Sequence, residues 1–213
     1  MGTVRKGVLG GFSGTVGTVI GANWKGIAYM RSLATLKKNP TFSDAQLKQQ
    51  LRFGLAVGFL RSMKPVLEIT FREFADQMTG FNYALKQIMQ KAVIGEYPDF
   101  KIDFSQVELS RGSLAKPNNP VARATVAGQI DFSWRDNSAV GTAKETDKAI
   151  FVAYCPSLAQ SIYTLAGSDR AAKSGTLDVS SFSGLEVETY MAYVSANGKK
   201  SADSIYTGKL SVL

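Results

Sequence analysis

The chain has 213 residues, 45% hydrophobic and 20% charged, which suits one large globular domain or two small ones and argues against disorder. Its 25 Lys and Arg against 17 Asp and Glu leave a net charge of +8, a surface that attracts phosphates, anionic lipid heads or acidic proteins. With 0 histidines and 1 cysteine, it lacks the usual general base near neutral pH, the commonest transition-metal ligand and any internal disulfide.

The first forty or so positions form a glycine-rich arm, with 8 glycines among the first 26 residues. That much glycine weakens a helix by up to ~1 kcal/mol per residue relative to alanine, so short strands joined by turns are expected. The segment from Trp24 to Arg31 alternates Ile27 and Tyr29 with smaller or polar neighbours and reads as a strand. Arg5 and Lys6 precede a run of 18 uncharged residues, 7–24, which resembles a signal peptide superficially. Glycine, serine and threonine interrupt the run too often for a cleavable signal or a membrane span. The expected location is therefore the cytoplasm, or a site reached by a non-classical route or within a particle, with no transmembrane segment.

Ser43 opens a helix, with Gln46 completing a capping box and Leu47, Leu51, Leu55 and Phe59 forming an apolar stripe. Gly54 and Gly58 beside that stripe are expected to admit close helix packing. Pro65 ends the helix or begins a new segment. Residues 66–74 read equally as strand or helix. A second clear helix is expected from Phe81 to about Val93, stopped by Gly95 and Pro98.

After Pro98 the hydrophobic period changes to two. Phe100, Ile102 and Phe104 alternate, and the segment Lys116-Pro117-Asn118-Asn119-Pro120 reads as a linker or turn. Ile130/Phe132/Trp134, Ile150/Val152/Tyr154, Ile162/Leu165, Leu177/Val179, Tyr190/Ala192/Val194 and Leu210/Val212 mark further strands, separated by turn residues. Strands at this spacing with no helices between them indicate an antiparallel sandwich. The expected fold class is α+β: a glycine-rich strand-like arm, two or three helices, then the sandwich. The domain expectation is 1–115 for arm, helices and first strands, and 116–213 for the sandwich.

No catalytic constellation is legible. A hydrolase triad lacks its histidine, no P-loop is present, and the carboxylates come mostly singly, Asp131 and Asp147 reading as exposed strand or loop positions. Asp136-Asn137-Ser138 reads as a turn rather than a calcium loop. Cys155, inside an apolar run, reads as a small buried hydrophobe. The chain is expected to be no enzyme, with no catalytic residue, cofactor or metal ligand.

Two resemblances follow from these residues. The segment 129–134, ending in Trp134, and the segment 185–201, with Tyr190 and the turn Asn197-Gly198, resemble strands of the fibronectin type III fold. That likeness implies a buried Trp134, a Tyr190 hydroxyl tied back to the loop before it, and a two-residue hairpin turn. The whole chain resembles an uncharacterised bacterial family of about this length. The matching segments are Gly7-Val8-Leu9-Gly10, Trp24-Lys25-Gly26, Tyr29-Met30-Arg31-Ser32, Asn39-Pro40 and Tyr206-Thr207-Gly208. This second likeness implies no activity.

The expected function is structural: self-association into a homo-oligomer, as the subunit of a filament, surface appendage or phage-like particle. The arm would supply Phe12, Trp24, Tyr29 and Arg31 as its contact residues. The alternative is a nucleic-acid-binding module in which Lys37, Lys38, Arg61 and Lys64, with Arg31, contact phosphates. A sandwich that recognises carbohydrate through exposed aromatics is a third reading.

Overall fold

The alternating segments of the arm become strands. In the computed structural model, which describes residues 2–4, 10–35 and 41–213, they are β1 (Thr3–Val4), β2 (Phe12–Val16), β3 (Val19–Trp24) and β4 (Ile27–Ser32). All pair antiparallel in the order β1-β2-β3-β4. Both long hairpins turn in two residues, because glycine sits where φ must be positive. Gly17 (φ 59°) takes the first position between Val16 and Val19. Lys25 (φ 46°) and Gly26 (φ 89°) lie between Trp24 and Ile27, and the Asn23 side chain accepts the Gly26 N–H at 3.0 Å. Such primed turns match the right-handed twist of the strands they join.

The chain divides into two units, Met1–Ser43 and Asp44–Leu213. The second begins with α1 (Asp44–Arg61), followed by α2 (Lys64–Thr70) and α3 (Gly80–Lys91). Pro65 begins α2 rather than ending α1, in the first turn where its missing N–H leaves no hydrogen bond unmade. The ambiguous stretch after it is helical to Thr70, then passes into a 3-10 turn at Arg72–Phe74. Thr79 caps α3 by accepting the Asn82 N–H at 3.1 Å. Along the α1 stripe, Phe59 is buried, Leu55 half-buried and Leu51 exposed. Gly54 and Gly58 do not admit close packing as expected, since a Cβ at either would meet open space.

Beyond α3, β5 (Val93–Ile94) pairs with β6 (Lys101–Ile102). The strand expected through Phe104 is broken there, because Asp103 accepts the Ser105 N–H at 3.0 Å and starts a 3-10 turn. Seven strands then form two sheets: β7 (Asn118–Arg123), β8 (Gln129–Arg135), β9 (Lys148–Cys155), β10 (Gln160–Thr164), β11 (Ser174–Asp178), β12 (Glu186–Val194) and β13 (Ile205–Ser211). One sheet has the order β11-β8-β7, the other β10-β9-β12-β13, and every pairing is antiparallel. A β-sandwich thus forms the C-terminal part of an α+β fold. Between β12 and β13 the turn is longer than two residues. Ser195 N–H bonds the Lys200 carbonyl at 2.9 Å, and of Asn197 and Gly198 only the glycine has positive φ (67°).

Two cores lie on either side of the four-stranded sheet. On β9, Ile150, Val152 and Tyr154 face the helices, joined from β12 by Tyr190, Ala192 and Val194. Those residues pack with Ala56, Phe59, Leu60, Leu67, Ala84 and Ile88. The alternate positions, Phe151, Ala153 and Cys155 on β9 and Val187, Met191 and Tyr193 on β12, pack with Ile130, Phe132 and Trp134 of the other sheet. Phe132 stacks on Phe151 with ring centroids 4.4 Å apart. The order is helices, four-stranded sheet, three-stranded sheet, so the helical region and the sandwich that the sequence reading set apart at 115/116 share a core within one unit.

Candidate functional site

Antiparallel pairing places directly opposed residues on the same face, and successive residues of a strand on opposite faces. The registers Ile20↔Arg31, Ala22↔Tyr29 and Trp24↔Ile27 therefore gather Ile20, Trp24, Ile27, Tyr29 and Arg31 on one face of the β3–β4 hairpin. Three of the four expected arm residues are thus brought together. Phe12 is separate: it lies on the opposite face with Val16, Val19 and Met30, half-buried over Gly21. A Cβ at Gly21 would run into the Phe12 ring and carbonyl, so glycine is what lets β2 and β3 close together there.

Neither face of this sheet is well covered. Trp24 is 50% exposed, Ile27 47%, Tyr29 45% and Met30 71%, with Val16 and Leu33 exposed as well. All six residues of β4 are exposed, and it stands last in the sheet order, so among the described residues no strand pairs with its outer edge. The electrostatics are one-signed. Six of the 25 basic residues and none of the 17 acidic ones precede Asp44, so +6 of the net +8 belongs to the first 43 positions. Of the other expected basic residues, Arg61 closes α1 and Lys64 opens α2, both exposed, whereas Lys37 and Lys38 lie outside the described residues.

The best-defined polar cluster was not foreseen. Arg170, in the loop between β10 and β11, is fully buried and pairs with Asp147 just before β9. Its Nε and Nη2 reach Asp147 Oδ2 at 3.2 and 3.1 Å, Nη1 donates to Asn137 Oδ1 at 2.7 Å, and Nη2 donates to the Ala115 carbonyl at 3.0 Å. The guanidinium also lies 3.8 Å from the centre of the Tyr193 ring. Asp147 is 1% exposed, not the open loop residue expected from the sequence, because it faces Arg170 and accepts the Lys144 N–H at 2.8 Å. Trp134 is buried as anticipated, its Nε1 donating to the Arg170 carbonyl at 2.7 Å. One side chain therefore ties together its own loop, the β8–β9 loop that carries Asn137 and Asp147, and the segment before β7 that carries Ala115. This is a structural arrangement: every donor of Arg170 named here is directed at the protein.

Tyr190 also departs from expectation. Its hydroxyl donates to the Phe104 carbonyl at 2.9 Å, tying the sandwich to the layer before it rather than to its own preceding loop. Burial, with the Glu188 carboxylate second, pushes that hydroxyl far above the ordinary tyrosine range. Glu73 makes a comparable tie at the surface, accepting the Ser201 N–H at 2.9 Å and the Ser113 hydroxyl at 2.7 Å. Among the described residues no group of three or more His, Cys, Asp or Glu side chains is placed to hold a metal ion, and no helix is long and apolar enough to cross a membrane.

Residues 11–208 match a family described as a family of unknown function (DUF6266). This agrees with the whole-chain resemblance carried by the Trp24-Lys25-Gly26 and Tyr206-Thr207-Gly208 segments. No curated protein matches the chain.

Proposed function

The chain belongs to the DUF6266 family of unknown function, and we propose that it is a non-enzymatic structural protein that self-associates through its N-terminal sheet. The single observation that carries this is β4: six exposed residues at the open edge of a sheet, four of them Ile27, Ala28, Tyr29 and Met30. An uncovered apolar edge strand offers a row of backbone donors and acceptors for a further strand, with side chains on alternate sides as anchors. A second copy presents the same edge, so pairing of two arms buries Tyr29 and Ile27 while completing the ladder. The sandwich would then be the body of a repeating subunit in a filament, surface appendage or phage-like particle. Its division into sheets of three and four strands supports a fibronectin type III-like module, an architecture that serves many functions as a spacer or adhesive unit.

The concentration of charge favours one second reading. An arm with six basic and no acidic residues, carrying Trp24, Tyr29 and Arg31 on one face, also suits a nucleic-acid strand, by phosphate contacts and stacking. Salt separates the two. Screening the like charges of two arms strengthens self-association, whereas counterion release weakens nucleic-acid binding steeply as salt rises.

The test is light scattering on the full chain over a range of concentration and salt, beside the variants Ile27→Lys and Met30→Lys. These positions are exposed, so the changes leave the second unit folded. Oligomers in the wild type that are lost in the variants support the assignment. A wild-type monomer at every concentration and salt refutes it, and salt-sensitive binding to single-stranded oligonucleotides by that monomer would establish the second reading.

A further inference from the structure

A different part of the molecule, remote in sequence from the arm, holds a cleft of its own. Between the loop preceding β9 and the turn joining β12 to β13 lies an open cleft of about 430 Å³, lined by Thr142, Lys144, Thr146, Asn197, Lys199 and Lys200. That volume falls in the range of small-molecule sites. Three ammonium groups border it, and among the described residues none lies within ion-pairing distance of a carboxylate: the ion pairs found are Lys91–Glu108, Lys148–Asp169, Arg170–Asp147 and Lys209–Glu186.

Two acids near the cleft are already engaged, while Glu145, between Lys144 and Thr146 in the chain, is exposed. Asp147 lines it, but its charge is matched by buried Arg170. Glu73, whose carboxyl Lys200 helps to hold low, is hydrogen-bonded to Ser113 and Ser201. Asn197 Oδ1 accepts the Lys199 N–H at 3.1 Å and the Ser195 hydroxyl at 2.8 Å, which leaves its amide nitrogen to donate outward. Arg72 adds a further positive charge beside the turn, its Nη1 donating to the Gly198 carbonyl at 3.3 Å. The lining thus offers donors and positive charge, with Thr146 as a hydroxyl, since Thr142 Oγ1 already donates to the Ser113 carbonyl and accepts the Ala115 N–H. None of the lining residues is an aromatic on which a nucleobase could stack.

We propose that this cleft binds the phosphate ester of a small hydroxylated molecule, a sugar or polyol phosphate. Lysines bind phosphate as point charges, so three of them around one cleft can meet a dianion without a fixed fork geometry. The cleft has room for more than one phosphate group, and there the Thr146 hydroxyl and the Asn197 amide would meet the ligand's own hydroxyls. The site is held open by the frame behind it: Arg170 fixes the loop before β9 through Asp147 and Asn137, and Ser195 and Lys200 close the opposite turn on each other.

The probe is glucose 6-phosphate, titrated into the full chain at low salt and followed by amide chemical shifts, with glucose and inorganic phosphate alongside. Saturable shifts confined to residues 142–147 and 195–200 are expected, with glucose silent and inorganic phosphate weaker than the ester. The double variant Lys199→Ala/Lys200→Ala should lower affinity by roughly tenfold or more, the loss expected for hydrogen bonds to charged groups, while Lys86→Ala on α3 leaves it unchanged. All these lysines are exposed, so an unchanged melting temperature confirms that the fold is intact. Absence of saturation, equal affinity in the double variant, an equal loss in Lys86→Ala, or phosphate binding as tightly as its ester each overturns the proposal. Because the arm plays no part here, this result stands or falls apart from the oligomeric state.

Discussion

Replacing Arg170 with methionine removes the guanidinium and keeps much of the aliphatic volume. Asp147 would be left 1% exposed with the Lys144 N–H on Oδ2, and Asn137 Oδ1 and the Ala115 carbonyl would each lose a donor. Breaking a buried pair by deleting one partner costs about 3–5 kcal/mol, chiefly because the remaining charge is uncompensated. Set against a total stability of about 5–15 kcal/mol, that is about a fifth or more of what holds the chain folded. For a chain of this size it corresponds to a fall in Tm of about 6–20 °C. The assay is urea unfolding followed by tryptophan fluorescence in a Trp24→Phe background, so that Trp134, hydrogen-bonded to the Arg170 carbonyl, is the reporter. The midpoint should fall with the urea slope unchanged. A double-mutant cycle with Asp147→Leu completes the test. Each single variant strands one charge, whereas Arg170→Met/Asp147→Leu strands neither, so the double should be less damaged than the sum of the singles by at least about 2 kcal/mol. A loss below about 1 kcal/mol for Arg170→Met, or additivity within about 0.5 kcal/mol, would refute the assignment of this pair as the frame of the loop end.

Tyr190→Phe deletes the hydrogen bond to the Phe104 carbonyl, which keeps only the Val107 N–H at 3.3 Å, a loss of about 0.5–1.5 kcal/mol in the same urea assay. Because burial and then Glu188 raise the Tyr190 hydroxyl above its ordinary 10.0, the unfolded chain ionises first. The wild type should therefore keep this stability below pH 10 and lose it as pH rises further, with a shallower alkaline decline in Tyr190→Phe. Glu73 behaves oppositely. Burial pushes its carboxyl up, but the Ser201 and Ser113 hydrogen bonds and Lys200 outweigh that and set it below 4.5. Its contribution should be present above that pH and fade as acid protonates the folded form, and Glu73→Gln should flatten this part of the pH profile.

The fold class was legible where one period dominated. The 3.6-residue pattern after Gly80 and the two-residue pattern of β8 have single structural meanings, and both were found in place. Residues 66–74 were not decidable locally, since Leu67, Ile69 and Phe71 alternate like a strand. Their helicity is settled by packing, where Val66, Leu67 and Phe71 are all buried in one core with α3. Trp134 and Cys155 were correctly placed inside because apolar alternation extends through both. Arg170 and Asp147 were illegible. They stand 23 positions apart in chain segments of ordinary composition, and only the folding of two loops brings them together. The Tyr190 tether was misassigned for a related reason: its acceptor is 86 residues away, in a turn created by Asp103. At the candidate site, alternation identified Trp24, Tyr29 and Arg31 as neighbours, but it could not show that Phe12 belongs to the other face, which depends on register.

The position of β12 between two cores has a consequence for how the chain can change over time. In an ordinary two-layer sandwich every second residue of a strand faces water and can vary with little effect. Here eight of the nine residues of β12 are buried and only Glu186 is exposed. Neither parity is free: a larger side chain at Ala192 meets the helices, and one at Met191 meets the opposite sheet. Sequence drift in this strand must then be concerted with changes in whichever layer it touches, while the three-stranded sheet keeps a free face, at Gln129, Ser133 and Arg135, where single substitutions are absorbed independently.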